Sequence, residues 1–239
     1  MRSVSRLSFH AALSLAAALA LASAPSLPGG PNAPHAQERQ PAATLDALAT
    51  QFASPDIDAR IHAVQALPAH GAAAVPLLAR ALGDRSVHVR RVATLALASV
   101  TPPTDASLAA LVRALGDEDQ AVQDNATWAL RTLGARALPA VTAAMRDPDA
   151  HVRLAATGIV ATSLALGRME RVPDETLAAL VTALADPSAD VRATAARALG
   201  EAGPAASAAI PGLRKIASGD PFDYVRSAAT HAIPKIDAR

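Results

Sequence analysis

One unit of sequence recurs six times along the chain, and this recurrence limits the fold more than any other feature. The clearest copy is Leu177–Gly203, LAALVTALADPSADVRATAARALGEAG. Leu177, Leu180, Val181 and Leu184 fall at helical spacing on one face. Asp186-Pro187-Ser188 breaks that helix, Ser188 is a residue type suited to cap the next one, and Asp190 suits the positive end of its dipole. Val191, Ala195, Ala198 and Leu199 form a second apolar stripe, which Gly200 and Gly203-Pro204 end. A helical hairpin this small cannot bury its own apolar face, so it must stack on others of its kind.

The turn of the unit begins at residues 54, 84, 117, 147, 186 and 220, with separations of 30, 33, 30, 39 and 34 residues. Its third position is Asp56, Ser86, Asp119, Asp149, Ser188 and Phe222, five of them N-cap types, so the second helix of each hairpin is expected to start there. The sixth position is Ala59, Val89, Val122, Val152, Val191 and Val225. Four residues on stand Ala63, Ala93, Ala126, Ala156, Ala195 and Ala229. Eight residues on stand Leu67, Leu97, Leu130, Val160, Leu199 and Ile233. These offsets trace one helical face, and alanine in every copy means that two helices approach closely there.

Charge repeats as well. The first position is Ser54, Asp84, Asp117, Asp147, Asp186 and Asp220, and the seventh is Arg60, Arg90, Gln123, Arg153, Arg192 and Arg226. Arginine beside aspartate in fixed register predicts a structural ladder, each arginine reaching the aspartate of its own or the next turn. The competing reading is an anion-binding groove lined by arginines, and an acid partner for each arginine argues against it.

The pattern A-L-x-D-P-x-x-x-V-R-x-x-A-x-x-A-L-G-x-x-G at Ala183–Gly203 resembles HEAT repeats, most closely the short type also found in phycobilin lyases. The resemblance implies an all-α, right-handed solenoid of about six hairpins, at 42–67, 72–99, 105–133, 136–166, 174–201 and 206–236. It implies second helices on the concave side and says almost nothing about activity. Gln123, Ser54 and Phe222 depart from the pattern. The longest interval holds an insertion, 162–175, where Leu164, Leu166 and Met169 suggest an extended helix. That insertion is either an edge spacer or a binding feature.

Composition agrees with packed helices. Half of the residues are apolar (51%) but only 2% are aromatic, which disfavours a β-sandwich. With no cysteine in 239 residues, disulfides, thiolate metal sites and cysteine nucleophiles are excluded. Arg2 and Arg6 followed by the Ala/Leu run 11–22 and small residues at Ala20–Ala24 read as a signal peptide over 1–24, with cleavage as late as Ala36 also compatible. Residues 25–41, rich in proline, read as a linker before a repeat domain over 42–236. The chain has 22 basic and 21 acidic residues, and loss of Arg2 and Arg6 leaves 20 and 21. A near-neutral exported protein, periplasmic or secreted, is expected, with no nucleic-acid partner and no membrane insertion of the mature form.

No catalytic motif is present, no metal site is expected, and no cofactor is implied. His88 and His151 share a repeat column, but two stacked repeats separate them by about 20 Å at the usual helix spacing, too far to share a metal. The informative positions are those that vary while the core columns stay constant. They are Gln65, Leu95, Trp128, Gly158, Arg197 and His231, and beside them Ile61, Arg91, Asp124, Leu154, Ala193 and Ser227. Within this strip Asp124, Trp128 and Arg131 share one face of one helix, and Arg91, Leu95, Arg197 and His231 extend it. Trp128 either anchors a partner or fills a gap between repeats three and four. The expected function is a non-enzymatic protein–protein interaction scaffold of a bacterial-type cell envelope, taking a protein or peptide on its concave face. The alternative is a HEAT-like lyase or chaperone handling a tetrapyrrole or other cofactor. Neither end shows an obvious polar cap, so end-to-end dimers stay open beside a monomer.

Overall fold

The computed structural model describes residues 43–169 and 171–237. The signal peptide read at 1–24 and the linker at 25–41 lie outside the described residues. Among those residues twelve α-helices form six antiparallel hairpins and there is no strand. The first helices are α1 (Leu45–Phe52), α3 (Val75–Ala81), α5 (Asp105–Ala114), α7 (Leu138–Ala144), α9 (Asp174–Ala183) and α11 (Ile210–Gly219). The longer second helices are α2 (Ile57–Ala66), α4 (Val87–Ser99), α6 (Gln120–Leu133), α8 (Ala150–Ala165), α10 (Ala189–Ala202) and α12 (Asp223–Asp237). Each hairpin packs on the next through its second helices, and α3, α5, α7 and α9 also pack in series along the first-helix side. The molecule is an α-solenoid.

Local chemistry explains where the helices start. Thr44 caps α1, and Thr104 with Ser107 makes a reciprocal capping box on α5. Asp56, Asp119 and Asp149 accept hydrogen bonds from the first-turn N–H groups of α2, α6 and α8. Ser86 and Ser188 occupy the same position but accept none, which corrects the expectation that their hydroxyls cap α4 and α10. There the turn is held by the aspartate two residues earlier, since Asp84 and Asp186 accept from the N–H of Ser86 and Ser188 at 2.8 Å. The helix α8 stops at Ala165, before Gly167 turns the chain with φ 61°, so the insertion is not an extended helix through Met169.

The alanine column lies where helices meet, all six members having no exposed surface. The helices α10 and α12 also approach closely, and a Cβ on Gly200 would stand 3.0 Å from the Ala232 Cα. The valine and leucine columns fill the remaining core, with Ala59 and Ile233 half-buried at the two ends of the described stack. Among the described residues, the run Ile57–Ala81 is long and apolar enough to cross a membrane by length and composition. Gly71, at φ 57° and ψ −136°, breaks it into separate helices, so it is not one continuous rod. The last helix turns Ser227, Thr230, His231 and Lys235 to solvent, so α12 carries a polar outer face that the sequence did not make evident.

Candidate functional site

The arginine and aspartate columns build the frame that holds any site. The Arg60 guanidinium donates two hydrogen bonds to the Asp84 carboxylate, at 2.8 and 3.0 Å, and its third nitrogen donates to the carbonyls of Ser54 and Pro55. Arg90 grips Asp117, Arg153 grips Asp186 and Arg192 grips Asp220 in the same way. So each arginine caps the turn of its own hairpin and clamps the aspartate of the next. Arg226 ends the series by donating to the Asp220 carbonyl and pairing with Asp223 of its own helix. Burial opposes ionisation of Asp84 and Asp186, yet Arg60, Arg153 and the N–H groups of Ser86 and Ser188 hold both carboxyls below the usual range. Asp220 is held low chiefly by Arg192.

One rung differs. Gln123 donates to the Asp117 carbonyl at 2.6 Å, copying the capping half of the arginine's work, but carries no charge to clamp the next hairpin. Asp147 accepts from the Asp149 N–H, and its carbonyl accepts from Arg153. Among the described residues no arginine reaches its carboxylate. The join between hairpins three and four is therefore unclamped, and α6 packs on α8 less extensively than α8 on α10 or α10 on α12.

The variable strip on the second helices is mostly at the surface. Trp128 is 57% exposed and Leu95 46% exposed, so Trp128 is a surface residue rather than a filler between repeats three and four. The two hold equivalent positions on α4 and α6, which pack together. Asp124, one turn before Trp128, accepts from Gln120 at 2.9 Å, and half-buried Arg131 follows on the same face. Arg91 is occupied: it donates to both oxygens of Asp119 at 2.8 and 2.7 Å, adding a second clamp between hairpins two and three. That bond, against some burial and helped by the Val122 N–H, lowers the Asp119 carboxyl to about 2. Arg197 donates to Thr194, and the His231 Nδ1 donates to the Ser227 carbonyl at 2.7 Å. Gly158 offers no side chain and Ala193 is buried, so the strip breaks at hairpins four and five. Arg197 and His231 are thus set apart from Leu95, Asp124, Trp128 and Arg131.

Residues outside the strip frame a cavity of about 680 Å³ at the end of hairpin four remote from the Gln123 rung. It lies between the ends of α6 and α8, the helix α7 and the segment leading into α9. Arg131 connects it to the strip, while Arg168, Met169, Arg171 and Glu175 come from the insertion. Two buried hydroxyls, Thr142 and Thr176, hydrogen-bond to each other at 2.9 Å in its wall. Of these residues the sequence pointed to Arg131 as a site candidate and offered the 162–175 insertion as either a spacer or a binding feature, but did not bring them together. The 39-residue interval was the signal that could have located them. A second hollow of about 700 Å³ lies on the first helices between α3 and α5, walled largely by alanine, with Arg113 as its one lining cation. Among the described residues no three His, Asp or Glu side chains gather to hold a metal.

A family model for HEAT repeats matches residues 45–131 and 158–234, leaving out the stretch around the unclamped join. Among solved structures, a designed armadillo repeat protein in complex with the peptide (KR)4 is 19% identical, with 81% of this chain and 100% of that one covered at a TM-score of 0.47. Computationally designed armadillo repeat proteins for modular peptide recognition are 20% identical, with 80% and 99% covered at a TM-score of 0.46. An engineered protein is 21% identical, with 81% and 96% covered at a TM-score of 0.45. No curated protein matches the chain.

Proposed function

The chain belongs to the HEAT-repeat family, and on that premise we propose that it is a non-enzymatic scaffold that binds a protein or peptide on its second-helix face. One observation carries the reading: Trp128, the chain's single tryptophan, stands 57% exposed at the position equivalent to exposed Leu95, on two helices whose hairpins Arg90–Asp117 and Arg91–Asp119 tie together. A large aromatic side chain kept in water on a stiff scaffold favours a partner that covers it. The short polar side chains around it, Asp124 and Gln120, suit the rim of such a contact.

We place this scaffold in a cell envelope as an exported protein, from the leader pattern at 1–24. The mature form works outside the bilayer and away from nucleic acid, as a monomer, with the polar outer face of α12 opposing end-to-end growth. The alternative, a lyase or chaperone for a tetrapyrrole or other cofactor, has the cavity in its favour. Among the described residues no aromatic or histidine side chain lines that cavity to stack on or ligate such a group. Absorbance titration with haem and a bilin separates the two readings, and a saturable spectral shift would favour the alternative.

The direct test is affinity capture from an envelope extract of the protein's own source, beside a Trp128→Ala/Leu95→Ala variant. Loss of an interface tryptophan typically costs 2 kcal/mol or more, roughly 30-fold in affinity. A partner held by the parent and released by the variant supports the face assigned here. A partner indifferent to both substitutions removes it.

A further inference from the structure

We propose that the cavity bordered by the ends of α6 and α8, the helix α7 and the segment leading into α9 binds a single-chain amphiphilic anion, an alkyl or acyl chain ending in a carboxylate or phosphate. Its volume of about 680 Å³ is of small-molecule size and several times what one side chain fills. Leu130, Leu138, Val141, Ile159 and Met169 give it apolar walls, and three of these, Leu130, Val141 and Ile159, belong to the buried core. Burying methylene groups against such walls is favourable.

Charge decides the other end of the ligand. Among the described residues, Arg131, Arg168 and Arg171 line the cavity against one acid, Glu175. Arg168 and Arg171 are exposed and Arg131 is half-buried, so the cations stand at the mouth above the apolar walls. A guanidinium presents paired donors that match the oxygens of a carboxylate or phosphate. The hollow between α3 and α5 has no such convergence of cations.

The longest departure from the repeat borders this space, since the insertion supplies Arg168, Met169 and Arg171 along its edge. The site does not depend on the Leu95–Trp128 face, so it stands or falls apart from the peptide-binding reading.

The test titrates dodecanoate and dodecyl phosphate, below their micelle concentrations, into the purified full chain by calorimetry, with dodecyltrimethylammonium as the cationic control. The expected result is one-to-one binding of at least one anion, the one that binds naming the head group, and no binding of the cation. Arg168→Gln/Arg171→Gln is expected to weaken it about tenfold or more. Ser163→Phe, from the half-buried wall on α8, is expected to abolish it by filling the hollow. Should that variant melt early, Met169→Trp fills the space from the insertion instead. Failure of both anions to bind, equal binding of the cation, or undiminished binding by a folded cavity-filled variant overturns the proposal.

Discussion

At Arg192 and Asp220 a single pair shows how one residue can tie two hairpins. Asp220 is 7% exposed, and its carboxylate accepts from Arg192 and from the Phe222 N–H, so removing the arginine strands a buried charge. Arg192→Met is expected to destabilise the fold by about 3 kcal/mol, read from denaturant unfolding. The converse experiment is Gln123→Arg, which offers Asp147 the clamp it lacks and is expected to add about 0.5–1 kcal/mol. Acid probes the same chemistry. Asp119 titrates at about 2 in the folded chain against 3.8 unperturbed. A carboxyl lowered by folding stabilises fully above its unfolded value and loses that contribution as pH falls through its folded value. Melting temperature is therefore expected to drop between about pH 4 and pH 2, and Arg91→Gln should flatten that part of the profile. The aspartate and arginine columns were legible from their register alone. Whether an arginine reaches back or forward was not, because both choices put an acid within reach of its side chain.

At the scale of elements, the hairpins are not all joined alike. Those ending in α2, α6 and α10 leave through glycines with positive φ, Gly71, Gly134 and Gly203, at 57°, 56° and 60°. Each is followed by a helix with proline at its second residue, Pro76, Pro139 or Pro211. Hairpin four also leaves through a positive-φ glycine, Gly167, but α9 has no proline at its second residue, so it is the pairing of glycine with that proline that recurs at every other hairpin. Gly203→Ala, forced to φ 60° and ψ −143°, is expected to cost about 1–3 kcal/mol from backbone strain. Gly200→Ala tests close approach instead. Its new methyl meets the Ala232 backbone at 3.0 Å, and thermal unfolding should register a loss of about 1–3 kcal/mol. The alanine column announced such proximity in the sequence, while the particular contact between Gly200 and Ala232 depends on how α10 and α12 settle.

For the molecule as a whole, the unclamped join between hairpins three and four is the expected weak point of an otherwise continuous stack. A solenoid's stability is a sum over neighbours, so a poor interface lets the two sides open separately. Hydrogen exchange is expected to show earlier opening of α7 and of the ends of α6 and α8 than of α10, with Gln123→Arg reducing the difference. One uniform exchange class across all six hairpins would contradict this. Helix periodicity, turn residues and the repeated core columns determined by sequence alone that this chain is a stack of helical hairpins, because those signals act within about thirty residues and recur. Only tertiary structure decided that Trp128 faces water, that Arg91 is consumed by Asp119, and that the insertion borders a cavity. Those outcomes depend on how neighbouring hairpins settle against one another, which no single repeat encodes.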